Sequence, residues 1–385
     1  MLVIELDEPW FDAERVSERA RAWAATMDGH TSRKVRTAHA DSNAEVHTSA
    51  PMLREEREAR LAETLVGGAT LPRGAGSRVR EEEPDPVRTC FERDRDRILH
   101  STAFRRLSGK TQVFIFPTDH QRTRMTHALE VAQIARSIAR ACRINVALAE
   151  AIALGHDCGH GPGGHASEDA LSPYVDGGYD HAVWGADVVV TPLNLCSETL
   201  DGIRNHSWSR PAPATSEGEV VSWADRIAYV CHDFEDAVQT GIVIASDLPA
   251  IVRERCGSNR SNQLNAFILA MVEAITSTGT ISMNEDAAES LAVFRRWNYE
   301  NIYMRSASVE QGRAVKRMLQ ALVEHFAASP SLLPGQPDVG TKTVEAYRSS
   351  VSYVGGMTDR FACDRAVELF GWRNSDLPQG IGVLR

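Results

Sequence analysis

The sequence predicts an all-α protein, a helical bundle extended by further helices towards the C-terminus. Two observations support this. Apolar residues recur at helical spacing over most of the chain, and strand signals are sparse. Neither internal repeats nor a long low-complexity tract interrupts the pattern.

In chain order, Trp10 to Met27 reads as a helix, and His30 to Ala50, rich in Thr, Ser, His and Asp, reads as a loop. Residues 1–50 form an N-terminal extension with no assigned role. Pro51 to Arg60 carries the alternating charge of a solvated helix face. Leu71 to Pro86 holds Gly, Pro and an acidic run, which predicts an irregular exposed loop. From Phe91 the spacing tightens into a helix with Ile98, Thr102, Phe104 and Leu107 on its buried side. Gln112 to Phe116 (Q-V-F-I-F) reads as a short strand or extended segment before Pro117. His127 to Cys142 has Val131, Ile134, Ile138 and Cys142 at helical spacing, and Ala147 to His156 repeats the period. A Gly161–Gly164 turn precedes a helix over His165 to Leu171. Helical patterns follow at Tyr179 to Val190, Glu198 to His206, Glu219 to Val238, Gln263 to Thr276, Ala287 to Tyr303 and Val309 to Ala328. Ser329 to Gly340 is a Pro/Gly loop, and Thr343 to Tyr353 and Asp359 to Leu369 are the last helices. The expected core spans 51–372, with 260–372 as its helical C-terminal part and 373–385 as a tail.

Composition narrows the class. The 385 residues suffice for one large core or two domains, and 43% hydrophobic with 24% charged residues is ordinary for a globular chain. A net charge of -10 argues against general affinity for nucleic-acid phosphates. Seven scattered cysteines without a C-x-x-C pair argue against a thiolate zinc site and a disulfide framework. The start Met1-Leu2-Val3-Ile4-Glu5 lacks the basic region and apolar run of a signal peptide, and no stretch has the apolar length of a membrane span. The expectation is a reduced, soluble, cytoplasmic protein of enzyme size.

The stretch from Arg122 to Glu168 gathers the chemistry. His127 opens one amphipathic segment, and the pair His156-Asp157 closes the next, where an apolar helix runs into a Gly-rich turn. His160, His165 and Glu168 follow at short spacing. Imidazole and carboxylate together suit first-row divalent metals that keep positions open for water. One helix presents only one or two inward groups per turn, so a further ligand has to come from a later helix. Asp225, an acid among Val220, Val221, Trp223 and Ile227, fits, because a buried carboxylate must be paired or bind a cation. Taken alone, Asp225 is as readily an ion-pair partner of Arg226, and each single histidine a satisfied core or helix-end residue. Arg124 lies about one helical turn before His127, on the same side, and a fixed guanidinium is a phosphate-binding group. Tyr229 and Asp233 continue one helix face after Asp225, with core packing as the alternative for Tyr229.

These residues lie in a string of motifs: F-E-R-D-R-D-R-I-L-H-S-T-A-F-R-R-L-S-G-K-T-Q-V-F (91–114), R-T-R-M-T-H-A-L-E-V-A-Q-I-A-R (122–136), G-H-D-C-G-H-G-P-G-G-H-A-S-E (155–168), L-N-L-C-S-E-T-L (193–200), W-A-D-R-I-A-Y-V-C-H-D-F-E-D-A (223–237), N-Y-E-N-I-Y (298–303) and V-G-G-M-T-D-R-F-A (354–362). With them the chain resembles the HD-domain deoxynucleoside triphosphate triphosphohydrolases of the bacterial dGTPase-like family, over roughly residues 52–372. The resemblance implies an HD-domain helical bundle, with the HD motif region at about 120–240. It also implies a reaction in which water attacks the α-phosphorus and releases a deoxynucleoside and intact tripolyphosphate. It implies His127, His156, Asp157 and Asp225 as ligands of a divalent ion (Mn, Fe, Co, Ni or Zn, with Mg on the phosphates). His165 matches the catalytic histidine, Glu168 the carboxylate positioned with it, and His181 a further histidine of that relay. By the same resemblance Arg124 contacts the α-phosphate, and Arg226 fills a basic position beside the last metal ligand. Tyr229 packs on the sugar, Asp233 binds its 3′-hydroxyl and Gln112 reaches the sugar from the other side. Lys110, Arg105 and Arg106 either serve the phosphates or line a basic surface, and His160 is a candidate for the substrate.

The implied partners are a nucleoside triphosphate and further copies of the chain, with no membrane and no general nucleic-acid binding. Two departures from the family pattern stand out. H-G-P-G-G-H replaces H-P-P-F-G-H, which predicts a more flexible loop lacking an aromatic wall, and Asp180-His181-Ala182 replaces Glu-His-Asn. Both lie near the nucleotide pocket, so a relaxed or altered substrate, such as a modified nucleotide, is one expectation. Alternative readings are an HD phosphohydrolase acting on nucleoside monophosphates or (p)ppGpp-like nucleotides, and a non-catalytic nucleotide sensor.

Overall fold

A computed structural model describes residues 17–32, 34–117, 120–335 and 339–380. The chain divides into two compact units, Met1–Pro51 and Met52–Arg385. In the first, helix α1 (Glu18–Ala25) is N-capped by Ser17, whose Oγ accepts the Ala20 N–H at 3.2 Å. Positions 10–16 of the expected helix lie outside the described residues. Strands β1 (His30–Ser32) and β2 (Val35–Thr37) then pair antiparallel, His30 opposite Thr37. A loop is expected there; Thr and Val favour extended backbone, and the hairpin is local enough to form from them.

The second unit is helical throughout: α2 (Arg54–Thr64), α3 (Cys90–His100), α4 (Thr102–Arg106), α5 (Arg124–Ala141), α6 (Val146–Gly155), α7 (Ala166–Leu171), α8 (His181–Trp184), α9 (Ser197–Asn205), α10 (Ser216–Gln239), α11 (Ala250–Cys256), α12 (Arg260–Thr278), α13 (Glu285–Asn298), α14 (Ser306–Ala328), α15 (Val344–Gly355) and α16 (Asp359–Phe370). The fold class is therefore all-α, with the hairpin as the only sheet among the described residues. None of these helices is long and apolar enough to cross a membrane. Gln112 to Phe116 joins no sheet. A single bridge between Thr111, just before it, and Thr123 is the nearest strand-like pairing, and Phe116 takes a positive φ of 52°. Its apolar residues are instead split, Phe114 entering one hydrophobic cluster and Ile115 the other. Of the expected tail, 374–376 form a 3-10 turn and 381–385 lie outside the described residues, as do 336–338 of the Pro/Gly loop.

The larger cluster is built around α6, which is apolar on nearly every side and buries Leu148, Ala149 and Ala151 through Gly155. Such a helix has no solvent face to offer and belongs at the centre. α5, α3 and α10 pack around it, and α9 crosses close by. The close crossing depends on glycine: a Cβ at Gly155 would sit 2.5 Å from Ile203 Cδ1. The smaller cluster joins α7, α14, α15 and α16 through Leu171, Leu319, Leu322, Val351 and Ala362. All seven cysteines are buried, six in the larger cluster and Cys363 in the smaller.

Candidate active site

Packing of α5 and α10 against α6 brings their polar residues to one cavity of about 510 Å³. Its floor is the His/Asp cluster. His127 on α5 lies with its Nε2 3.0 Å from Asp225 Oδ1 on α10. His156, just past α6, donates from Nδ1 to the Ala153 carbonyl at 2.6 Å, which turns Nε2 inward. That Nε2 lies 3.7 Å from Asp225 Oδ1 and 3.5 Å from Asp157 Oδ1, buried and without a hydrogen-bond partner. The donor atoms of His127, His156 and Asp225 fall within 4.8 Å of one another, and Asp157 forms a neighbouring group with His156 and His206. Burial lowers the basicity of the His156 ring, yet Asp157 and Asp225 outweigh it and push its pKa up to about 9. The cluster thus binds positive charge, and its orphaned inward nitrogen beside two carboxylates suits a divalent cation.

Arg124 is one turn from His127 and almost completely buried. Its Nη1 donates to Asp157 Oδ2 at 2.7 Å, while Nε and Nη2 have no partner. Burial alone would raise the Asp157 carboxyl; Arg124, His156 and His160 together hold it well below the usual carboxylate range. Arg124 lines the cavity, and a guanidinium with two unpartnered nitrogens is a candidate seat for an anion.

Beside the floor, His160, His165 and His181 gather around Glu168. His165 is exposed, its side chain 75% accessible, with Nδ1 3.6 Å from Glu168 Oε2. Glu168 Oε1 bonds His181 Nδ1 and accepts the His181 N–H at 3.1 Å. Burial would raise the Glu168 carboxyl, and its bonds to His165 and His181 hold it far below the usual range. Asp180 fixes the start of α8 by accepting the Ala182 N–H at 2.9 Å. His160 stacks on His181 at 3.7 Å, with its Nε2 3.2 Å from Asp157 Oδ1. Burial, then Arg124 and His181, keep the His160 ring neutral.

The opposite wall comes from α10 and α13. The Arg226 guanidinium lies 3.4 Å over the Trp208 ring. Tyr229 Oη accepts from Arg295 Nε at 2.7 Å, and Tyr303 donates its hydroxyl to Asp233 Oδ2 at 2.5 Å. Gln112 lines the cavity with its Oε1 buried and unpartnered. Lys110 stands apart. It does not line the cavity; its Nζ is buried behind the wall, bonded to the carbonyls of His160 and Gly355. A substrate contact for Lys110 does not fit that placement. The 161–164 loop, expected to be more flexible, is closely packed and bonded at Gly161 and Gly163. Gly163 and Gly164 take positive φ, a Cβ at Gly163 would strike Val315 of α14, and the loop amides are bonded to buried side chains.

Sequence reasoning assigned no role to Trp208, Arg295 and Tyr303 and left His206 as a satisfied core or helix-end histidine; all four line the cavity. His206 donates from Nδ1 to the Ile203 carbonyl at 2.8 Å and places Nε2 3.2 Å from His181 Nε2. Its place just past the end of a helix, as with His156, was the available signal. Arg295 carries no local signal.

Comparison with known proteins follows this geometry. A family model described as HD domain matches residues 124–230, and one described as phosphohydrolase-associated domain matches 281–368. A deoxyguanosinetriphosphate triphosphohydrolase-like protein of Caldanaerobacter subterraneus subsp. tengcongensis is 39% identical over 326 residues, covering 82% of this chain and 94% of the relative. A protein of the same description from Clostridium perfringens (strain SM101 / Type A) is 36% identical over 309 residues, covering 76% and 90%. Another from Desulfatibacillum aliphaticivorans is 36% identical over 349 residues, covering 83% and 98%.

Proposed function

The chain belongs to the deoxyguanosinetriphosphate triphosphohydrolase-like family of HD-domain proteins, and on that premise we propose that it hydrolyses a nucleoside triphosphate at the α-phosphorus, yielding nucleoside and tripolyphosphate. The observation that carries the reading is Arg124: a buried guanidinium on the cavity wall with two unpartnered nitrogens, one turn from His127 and salt-bridged to Asp157. A polyphosphate supplies the missing acceptors.

His127, His156, Asp157 and Asp225 would hold the divalent ion. When bound, it supplies charge neutralisation and polarisation at a phosphoryl oxygen. The chain's own residues do the rest. Arg124 orients the α-phosphate, itself oriented by Asp157. Tyr229, Asp233 and Gln112 line the sugar end, and Arg226 stands beside the phosphates. Water adds to the α-phosphorus as the bond to O5′ breaks, so the water oxygen ends on tripolyphosphate. His165, beside Glu168, gives its proton to O5′, and Glu168 in turn is braced by His181. A modified sugar or base as substrate is a narrower version of this reading, motivated by the departure of residues 160–165 (H-G-P-G-G-H) from the family pattern.

Chromatographic product analysis tests both versions. The metal-loaded protein is given the four dNTPs, their ribonucleotide counterparts and a 2′-modified ATP, with His156→Ala and Arg124→Ala as controls. Nucleoside plus tripolyphosphate is expected, absent in His156→Ala and reduced on the order of 10²–10³-fold in Arg124→Ala. Monophosphate or pyrophosphate products would overturn the proposal, and strict preference for dGTP would remove the modified-substrate version.

A further inference from the structure

His165 has little to hold it in place. Its ring is largely exposed; besides edge contacts with the His160 and His181 rings, its nearest polar partner is Glu168 Oε2, 3.6 Å away and beyond hydrogen-bond reach. Its placement therefore leans on the backbone of the loop before it. That loop is anchored at three points. The Gly161 N–H donates to Ser167 Oγ at 3.0 Å, and Ser167 returns its hydroxyl to the Gly164 carbonyl at 2.7 Å. Lys110 Nζ bonds the His160 carbonyl. The third anchor comes from far along the chain: the Gly163 N–H donates to Asp359 Oδ1 at 2.9 Å.

Asp359 is the first residue of α16 and is 5% exposed. Its other oxygen accepts both the Thr111 N–H at 2.8 Å and the Thr111 hydroxyl at 2.5 Å, next to Gln112 on the cavity wall. One carboxylate therefore ties the histidine loop to the segment that carries Gln112. Lys110 repeats the tie one residue earlier, joining the His160 carbonyl to Gly355, at the end of α15. The close fit is visible at Gly109, where a Cβ would lie 2.8 Å from the Thr358 side chain. Every hydrogen bond made by the Asp359 carboxylate ends on the two segments that frame the cavity. A helix cap would instead have spent that carboxylate on the amides of α16 itself.

We infer that Asp359 is a positioning residue for the reaction: through the Gly163 amide it holds His165 against the scissile bond, so that the C-terminal helices contribute to catalysis without touching substrate. This rests on the reading of His165 as the proton donor. Replacement by Asn keeps the shape but turns an NH₂ group towards one of the donors that the carboxylate served, so at least one bond is lost.

The experiment is a double-mutant cycle of Asp359→Asn with His165→Ala, run on the nucleotide that ranks first in the product panel, together with amide hydrogen exchange over 159–168. Asp359→Asn is expected to lower kcat about 10- to 100-fold, KM changing far less, and to speed exchange at Gly163. In the His165→Ala background it should cost almost nothing more, because the group it positions is gone. An equal loss in both backgrounds, or unchanged exchange in the loop, would overturn the inference. Should His165→Ala keep full activity, the reading of His165 itself fails, and the exchange result alone decides whether Asp359 anchors the loop. If Asp359→Asn does not fold, the wild-type protein still answers: a Gly163 amide that exchanges as freely as an open glycine such as Gly177 excludes the anchor.

Discussion

Asp233 illustrates what a single residue costs this site. Burial pushes its carboxyl up to about 8, against the lowering effect of the Tyr303 hydroxyl. The folded protein therefore keeps a proton that the unfolded chain loses near pH 4. Stability from this group is fully present below that value and falls as pH rises to about 8. Asp233→Asn, neutral throughout, should melt above the wild type from about pH 4 upward, with the gap widening until about pH 8 and then constant. Calorimetric melting from pH 4 to 9 checks this, and a gap that shrinks with pH would contradict it. At the same scale, the sequence pointed to the floor of the cavity, because His127, His156, Asp157 and Asp225 all end or interrupt apolar helical faces; each alone had an ordinary core or ion-pair reading, and the motifs that hold them singled out the set. Arg295 and Tyr303 were not legible. They enter from α13 and the turn after it, and only three-dimensional packing brings them opposite Tyr229 and Asp233.

Among the elements, helices with a strict apolar face were readable to within a few residues, as α5, α6, α10 and α14 show. The segment at 112–116 was not, because its β-like composition reflects burial in two clusters rather than pairing. Nor were the non-helical joins, which depend on distant partners. Glu82 is one such join. Arg97 Nη2 at 2.5 Å and Arg93 Nη2 at 2.7 Å, both from α3, and Asn194 converge on it. Arg97 first, with Asn194 and Arg93, brings its pKa down to about 2. A depressed carboxyl stabilises above its unfolded value near 4.3 and loses that contribution as pH falls towards 2. Glu82→Gln should therefore melt below the wild type at neutral pH and converge with it near pH 2, as thermal denaturation followed by circular dichroism would show.

On the scale of the whole molecule, the proposed ligands come from α5, from the residues after α6 and from α10, so they meet only when the larger cluster has assembled. A cation that binds them binds the folded chain alone and must stabilise it. At a hundredfold excess over its Kd, added Mn²⁺ should contribute about 2.7 kcal/mol, a rise of a few degrees in Tm. EDTA should reverse the rise, and His156→Ala should abolish it; an equal shift in that variant would place the ion elsewhere.

The buried thiols give this protein a built-in clock. With all seven cysteines shielded, alkylation in the native state must wait for an opening event, so the labelling rate measures how often the packing parts. Cys363 sits in a different apolar cluster from the other six. Peptide-resolved labelling at low denaturant would then separate two kinds of breathing. If Cys363 reacts ahead of Cys231, the C-terminal helices detach as a subglobal unit; if all react together, the two clusters open as one cooperative body.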